Sequence, residues 1–218
     1  MFTKIFHQDR KPILFLFSLY FLSLLFLFAI IVASSQMGIS PALFTCDPAL
    51  ISNIHPFVGV LSNIGIMLWI ATATIGLFSW MILRNNSGET RFSIFLLCSS
   101  LMTMLLSLDD LFMFHETILG KEEIVFSVYG CLILCGIVIF KRCILKTKYL
   151  TLLIAFGFFG LSLLIDLFQD SVQSFIGEWR ILFEDGFKFI GIISWFGYFS
   201  ICCFTAIRKK DREYILKC

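Results

Sequence analysis

The chain has 218 residues, of which 59% are hydrophobic and 27 are Phe, and its formal net charge is +2. Soluble domains are less apolar, at about 45–50%. Continuous apolar runs of about 20 residues recur along the chain, which excludes a soluble protein and, because the runs do not alternate, a β-barrel. The basic residues are spread over short loops, so nucleic-acid binding is not indicated. The composition therefore predicts an all-α, polytopic integral membrane protein.

The apolar runs predict a bundle of six transmembrane helices that form a single domain. The spans lie at about residues 13–33, 57–83, 92–113, 124–140, 149–168 and 187–207. The first run follows Lys4, Arg10 and Lys11 and is too long for the core of a signal peptide. We therefore interpret it as an uncleaved anchor.

The charges in the loops predict the orientation of these spans. Of the 17 Lys and Arg residues, 14 lie in the N-terminal segment, in the loops 84–91 and 141–148, and in the tail from residue 208. The other three are Lys121, Arg180 and Lys188. Because basic loops stay in the cytoplasm, both termini are predicted to be cytoplasmic, in a plasma membrane such as the inner membrane of a bacterium.

The eight cysteines do not predict a disulfide framework. Five of them lie inside the predicted spans, and Cys46 is the only one on the predicted non-cytoplasmic side. Cys131 and Cys135 are four residues apart and share a helix face. We interpret this pair first as small packing residues, and a redox or metal pair is the alternative.

The acidic residues are distributed in the opposite sense to the basic ones. Eleven of the 15 Asp and Glu residues lie on the predicted non-cytoplasmic side. Acidic residues contribute little to orientation, so topology does not explain this excess. Carboxylates at the edge of the hydrocarbon are costly and usually have a partner or a function. The outer ends of the spans are therefore the predicted place for a functional site.

Three spans bring acidic residues to a similar depth. Asp109 and Asp110 lie about one turn before the end of the third span. Asp166 lies near the end of the fifth span, and Asp170 follows it by four residues. Glu184 lies just before the sixth span. At 1.5 Å of rise per residue these groups are within a few ångströms of one level, so we expect several carboxylates to converge there.

Convergent carboxylates would need protons, basic partners or a metal ion. Oxygen donors with an imidazole suit a divalent metal such as Zn, Mn or Fe. The candidate metal ligands are Asp109, His115, Asp166, Asp170 and Glu184. The candidate catalytic groups are Asp109, Asp110 and Lys188. A metal at that depth would activate water for hydrolysis.

Simpler interpretations of the same residues remain open. Glu184 and Asp185 would stabilise the N-terminus of the sixth span through the helix dipole and its free N–H groups. Glu184 also precedes Lys188 by four residues, the favoured order for a helical ion pair. The segment 167–186 is typical of a short amphipathic helix, either re-entrant or at the membrane surface, that would be a connector or a lid over the acids.

The favoured functional hypothesis is a membrane-embedded, metal-dependent hydrolase that acts on a lipid-like substrate. The first alternative is a cation- or proton-coupled transporter or channel, which would need a polar path across the membrane. The second is a structural or assembly subunit whose acids pair with another protein. The predicted partners are membrane lipid and either a second copy of the chain or a membrane complex.

Overall fold

The computed structural model describes residues 10–38, 40, 43, 51–55, 57–84, 90–114, 122–177 and 179–215. In these residues all regular secondary structure is helical: α1 Arg10–Met37, α2 Val60–Leu83, α3 Thr90–Phe112, α4 Glu122–Ile144, α5 Leu150–Leu167, α6 Gln169–Ile176 and α7 Trp179–Ile215. All of them except α6 are long and apolar enough to cross a membrane. The chain is thus an all-α, multi-pass integral membrane protein with six candidate spans, as the sequence predicts.

The helices α2 to α5 agree with the predicted spans to within a few residues. The N-terminus of α2 follows Gly59, whose φ of 73° is a left-handed conformation that glycine adopts without a steric penalty. The C-terminus of α4 lies beyond the predicted end of its span and includes Lys141 and Arg142 in the last turn. Basic side chains at this position are favourable because they face the negative end of the helix dipole.

The sixth span differs most from the prediction. The helix α7 begins at Trp179, eight residues before the predicted start at residue 187. Glu184 and Asp185 therefore lie inside the helix, and their interpretation as N-terminal capping residues is wrong. The short helix predicted before this span is α6, and Gly177, with φ 57° and ψ −138°, separates it from α7.

The chain divides into two compact units, Met1–Val58 and Gly59–Cys218. In the first unit, the side chains of the candidate span Tyr20–Met37 are almost all exposed, as suits contact with lipid. In the second unit, α7 packs against α2 and α5, α2 also packs against α3, and α4 packs against α3. The helices α2, α3, α4, α5 and α7 all contribute buried side chains to the core of the second unit.

Two glycines allow the helices of the second unit to approach closely. A Cβ on Gly76 of α2 would clash with the Ser100 hydroxyl of α3. A Cβ on Gly191 of α7 would lie 2.6 Å from the Phe159 ring of α5. Without a hydrophobic driving force between helices in lipid, close packing of this kind is a main source of helix association.

An aromatic layer fills the core between these helices. The Trp69 and Trp195 rings are in edge contact at a centroid distance of 6.0 Å, and Phe159 stacks on Trp69 at 5.7 Å. The Trp195 indole N–H donates a hydrogen bond to the Thr103 hydroxyl at 3.1 Å. The layer lies directly below Asp110, because Trp69 also contacts that carboxylate.

The buried hydroxyl groups are mostly satisfied within their own helices. Thr72, Ser79, Ser100 and Thr103 each donate to the backbone carbonyl four residues earlier, at 2.7–2.8 Å. This local bonding is common for Ser and Thr in membrane helices. These groups therefore do not form side-chain hydrogen bonds to one another that would connect the two ends of the unit.

Candidate functional site

The centre of the candidate site is an ion pair between Asp110 of α3 and Lys188 of α7. Lys188 Nζ lies 2.7 Å from Asp110 Oδ1, and Trp69 Nε1 donates to Asp110 Oδ2 at 3.0 Å. The side chain of Asp110 is 15% exposed and that of Lys188 is 43% exposed. A largely buried carboxylate is costly unless it is paired and hydrogen-bonded. Here both of its oxygens have a donor, so this one side chain joins α2, α3 and α7.

A small pocket of about 40 Å³ lies beside the ion pair. It is lined by Leu61, Ser62 and Gly65 of α2, Asp110 of α3, and Asp185, Lys188, Phe189 and Ile192 of α7. Gly65 leaves space between α2 and α7 at the pocket, since a Cβ at this position would lie 3.2 Å from Ile192 Cδ1. Two carboxylates and one ammonium give the lining a formal charge of −1, and the rest of the wall is largely apolar.

Glu184 belongs to a second charged group on α7. It forms a hydrogen-bonded ion pair with Arg180, four residues earlier on the same helix. Asp166 of α5 is close enough to Glu184 to interact with it electrostatically. Glu184 forms its ion pair with Arg180 and not with Lys188, which is paired with Asp110 but still acts on Glu184 electrostatically.

Asp109 points away from the ion pair although it is the neighbour of Asp110 in sequence. It is 3% exposed, and the Tyr129 phenol of α4 is within hydrogen-bonding range of its carboxylate. Successive residues of an α-helix are separated by about 100° around the axis. The two carboxylates therefore serve different neighbours, and Asp109 does not line the pocket.

The predicted metal ligands are not assembled into one group in the described part of the chain. Asp166 and Glu184 are close enough to interact electrostatically, whereas Asp170 is exposed on α6. His115 lies outside the described residues. Among the residues that the structure describes, no group of three or more His, Cys, Asp or Glu side chains is placed to hold a metal ion. Of the predicted catalytic groups, the structure joins Asp110 and Lys188.

Ser107 is a buried polar group on the same face of α3 as Asp110, one turn earlier. It is 1% exposed, and its hydroxyl has no hydrogen-bond partner among the described residues. Thr103, one turn further from Asp110, has the Trp195 indole as its partner. Ser107 is thus an unsatisfied position between two satisfied ones.

Sequence reasoning missed the role of Trp69 at this site. The signal for it was weak: an indole in the middle of an apolar helix needs an acceptor for its N–H group, but the sequence does not reveal which acceptor. Gly65, one turn earlier on the same face of α2, marks the place where the pocket meets that helix.

No curated protein and no solved structure matches the chain. A family model does match, over residues 19–202, which include the ion pair, the pocket and both charged groups of α7. The chain therefore belongs to the family described as Domain of unknown function (DUF8692).

Proposed function

We propose that the protein binds the polar head of a membrane lipid in the pocket beside Asp110 and Lys188. The observation that carries this proposal is an ion pair that lines a partly apolar pocket near the ends of two membrane helices. Ligand pockets combine an apolar wall with a few placed polar groups in this way. With the predicted orientation, the pocket belongs to the non-cytoplasmic leaflet.

The depth of the pocket suits a lipid headgroup. Asp110 lies two residues before the end of α3. The candidate span in α7 has 32 residues, whereas about 20 residues are enough to cross the hydrocarbon. Because the basic tail begins at Arg208, the 20 residues 188–207 are enough to cross the hydrocarbon, which would bring Lys188 close to the level of the headgroups.

Lys188 has the chemistry for a phosphate ligand. An ammonium group has three N–H donors, and Asp110 takes one of them. The Lys188 side chain is 43% exposed, so its remaining donors are accessible from the pocket. Asp110 holds the ammonium in place, and the Ser62 hydroxyl on the opposite wall offers one further donor.

The arrangement supports lipid binding better than metal-dependent hydrolysis. A metal ion at Asp110 would lie next to the Lys188 ammonium, and two cations at that distance repel each other. A metal site at Asp166 and Glu184 would need a third ligand, such as His115. The lipid-like ligand of the sequence-based hypothesis is therefore retained, and a hydrolytic step is not part of the proposal.

The two alternative functions have less support. A transporter needs a polar path, but the buried hydroxyls of the described helices mainly bond to their own backbone. An assembly subunit would need unpaired acidic side chains to bind another protein, but Asp110 and Glu184 already form ion pairs within the chain.

Retained lipid tests the proposal. The protein and its Lys188→Met variant are purified from the same membranes in mild detergent, and bound phospholipid is measured by native mass spectrometry. Loss of a charge-assisted contact corresponds to about a 10- to 100-fold loss of affinity, so Lys188→Met is expected to retain far less lipid. Lys148→Met, at an exposed lysine outside the pocket, is the matched control. Equal lipid retention in both variants contradicts the proposal.

The single variant also leaves Asp110 without its basic partner, which could affect folding. The double variant Asp110→Asn/Lys188→Met removes both charges and keeps an acceptor for the Trp69 indole. If this double variant is folded and still binds lipid as the parent protein does, the pocket is not the lipid site.

A further inference from the structure

We infer that the pocket selects a lipid whose headgroup carries a primary amine beside its phosphate, with Asp185 binding the amine and Lys188 the phosphate. This inference rests on the proposed function and adds the class of headgroup. It depends on the position of Asp185, on the charge of the pocket and on its size.

Asp185 is the carboxylate of the pocket that has no ion-pair partner among the described residues. It is exposed, it lines the pocket, and it has no ion-pair or hydrogen-bond partner within the described part of the chain. Lys188 follows it by three residues on α7, so both side chains lie on one face of the helix, with about 5–6 Å between their Cβ atoms. The pocket therefore presents a carboxylate and an ammonium side by side, complementary to an ammonium and a phosphate joined by a short linker.

The charge around the pocket favours a ligand with a positive end. The lining alone has a formal charge of −1, from Asp110, Asp185 and Lys188. The neighbouring group of Asp166, Arg180 and Glu184 adds a further −1. Like charges in a region of low dielectric repel strongly. A headgroup with phosphate as its only charge is therefore disfavoured, and a zwitterion is preferred.

The size of the pocket distinguishes a primary amine from a quaternary one. A cavity needs a volume of about 10–15 Å³ to hold one water molecule. The pocket volume of about 40 Å³ therefore accommodates roughly three groups of that size. An NH₃⁺ group and a phosphate oxygen fit this space. A trimethylammonium group has four heavy atoms in place of one and hides its charge from hydrogen-bond acceptors. Phosphoethanolamine lipids are thus preferred over phosphocholine lipids.

Competition between defined lipids tests this inference. The delipidated protein is mixed in detergent with phosphatidylethanolamine, phosphatidylcholine and phosphatidylglycerol of identical acyl chains, and the bound lipids are measured by native mass spectrometry. We expect a preference of about tenfold for phosphatidylethanolamine, which is the usual contribution of one charge-assisted hydrogen bond. The Asp185→Asn variant should lose this preference, because its affinity for phosphatidylethanolamine should fall about tenfold, to the level of the other lipids. Asp170→Asn, at an exposed carboxylate on α6, should behave as the parent protein does.

The outcomes separate this inference from the function on which it rests. Binding that needs Lys188 but shows no preference for the amine, or a preference that survives Asp185→Asn, overturns the inference and leaves lipid binding intact. Binding that ignores Lys188→Met overturns both. Glycerophosphoethanolamine, which has the headgroup without acyl chains, is added as a competitor. If it binds as tightly as the lipid does, amine recognition stands and the lipid assignment is overturned.

Discussion

The contribution of the Asp110–Lys188 ion pair to stability follows from its burial. Exposed ion pairs contribute about 0–1 kcal/mol, and breaking a fully buried pair costs about 3–5 kcal/mol. At 15% and 43% exposure, this pair lies between the two limits. We expect the Asp110→Asn variant to lower the free energy of unfolding by about 1–3 kcal/mol. The asparagine keeps an oxygen acceptor for the Trp69 indole, so the change reports mainly on the lost charge.

A double-mutant cycle with Lys188→Met measures the interaction between the two side chains. Unfolding is followed by tryptophan fluorescence as the fraction of sodium dodecyl sulfate in mixed micelles is raised. We expect a coupling energy of about 1–2 kcal/mol. Asp170→Asn is the control and should change the stability by less than about 0.5 kcal/mol. If the two single variants are additive within about 0.5 kcal/mol, the ion pair does not stabilise the fold and the reasoning from its burial is refuted.

Two further predictions concern packing around the site. Ser107→Ala removes a buried hydroxyl that has no partner among the described residues. In the same assay the free energy of unfolding should therefore stay unchanged or rise by up to about 1 kcal/mol. A fall of about 1 kcal/mol or more would mean that this hydroxyl has a hydrogen-bond partner. Gly191→Ala should lower stability by about 1–3 kcal/mol, because its Cβ would overlap the Phe159 ring. Gly197→Ala on the same helix meets no atom within 4 Å and should be neutral or slightly stabilising; equal effects of the two variants would contradict the close packing of α5 and α7.

The positions of the membrane-spanning helices were predictable because the thickness of the hydrocarbon core sets the length of apolar segment that a span needs. The start of α7 was not, for a physical reason. Its first turns mix Trp179, Leu182 and Phe183 with Arg180 and Glu184, so the hydropathy falls although the helix continues. A hydropathy pattern shows where the apolar segment ends. The helix itself ends where its backbone hydrogen bonding stops, which lies several residues further in α7. The same limit applies to α4, which continues past its predicted span through Lys141 and Arg142.

Of the residues that meet at the candidate site, the sequence singled out Asp110 and Lys188 but not Trp69, and it did not predict which side chains pair. Asp109 and Asp110 are adjacent in sequence, yet one faces Tyr129 and the other faces Lys188. The rotation of α3 about its own axis determines which neighbour each carboxylate faces. That rotation depends on how the helices pack, which the hydropathy and charge patterns do not reveal. The same packing determines whether Lys188 pairs with Glu184 on its own helix or with Asp110, which is 78 residues away in the sequence.

The aromatic layer below the ion pair bears on how a ligand would reach the proposed lipid site. Trp69 links the two features, because its ring belongs to the layer and its N–H group bonds to Asp110. A dense apolar layer excludes water and lowers the local dielectric, which strengthens the ion pair above it. The same layer leaves little room for a polar ligand to continue toward the other end of the helices. Under the proposed function, a headgroup bound at Lys188 would enter and leave at the same end of the helices, which favours a binding site over a path across the membrane.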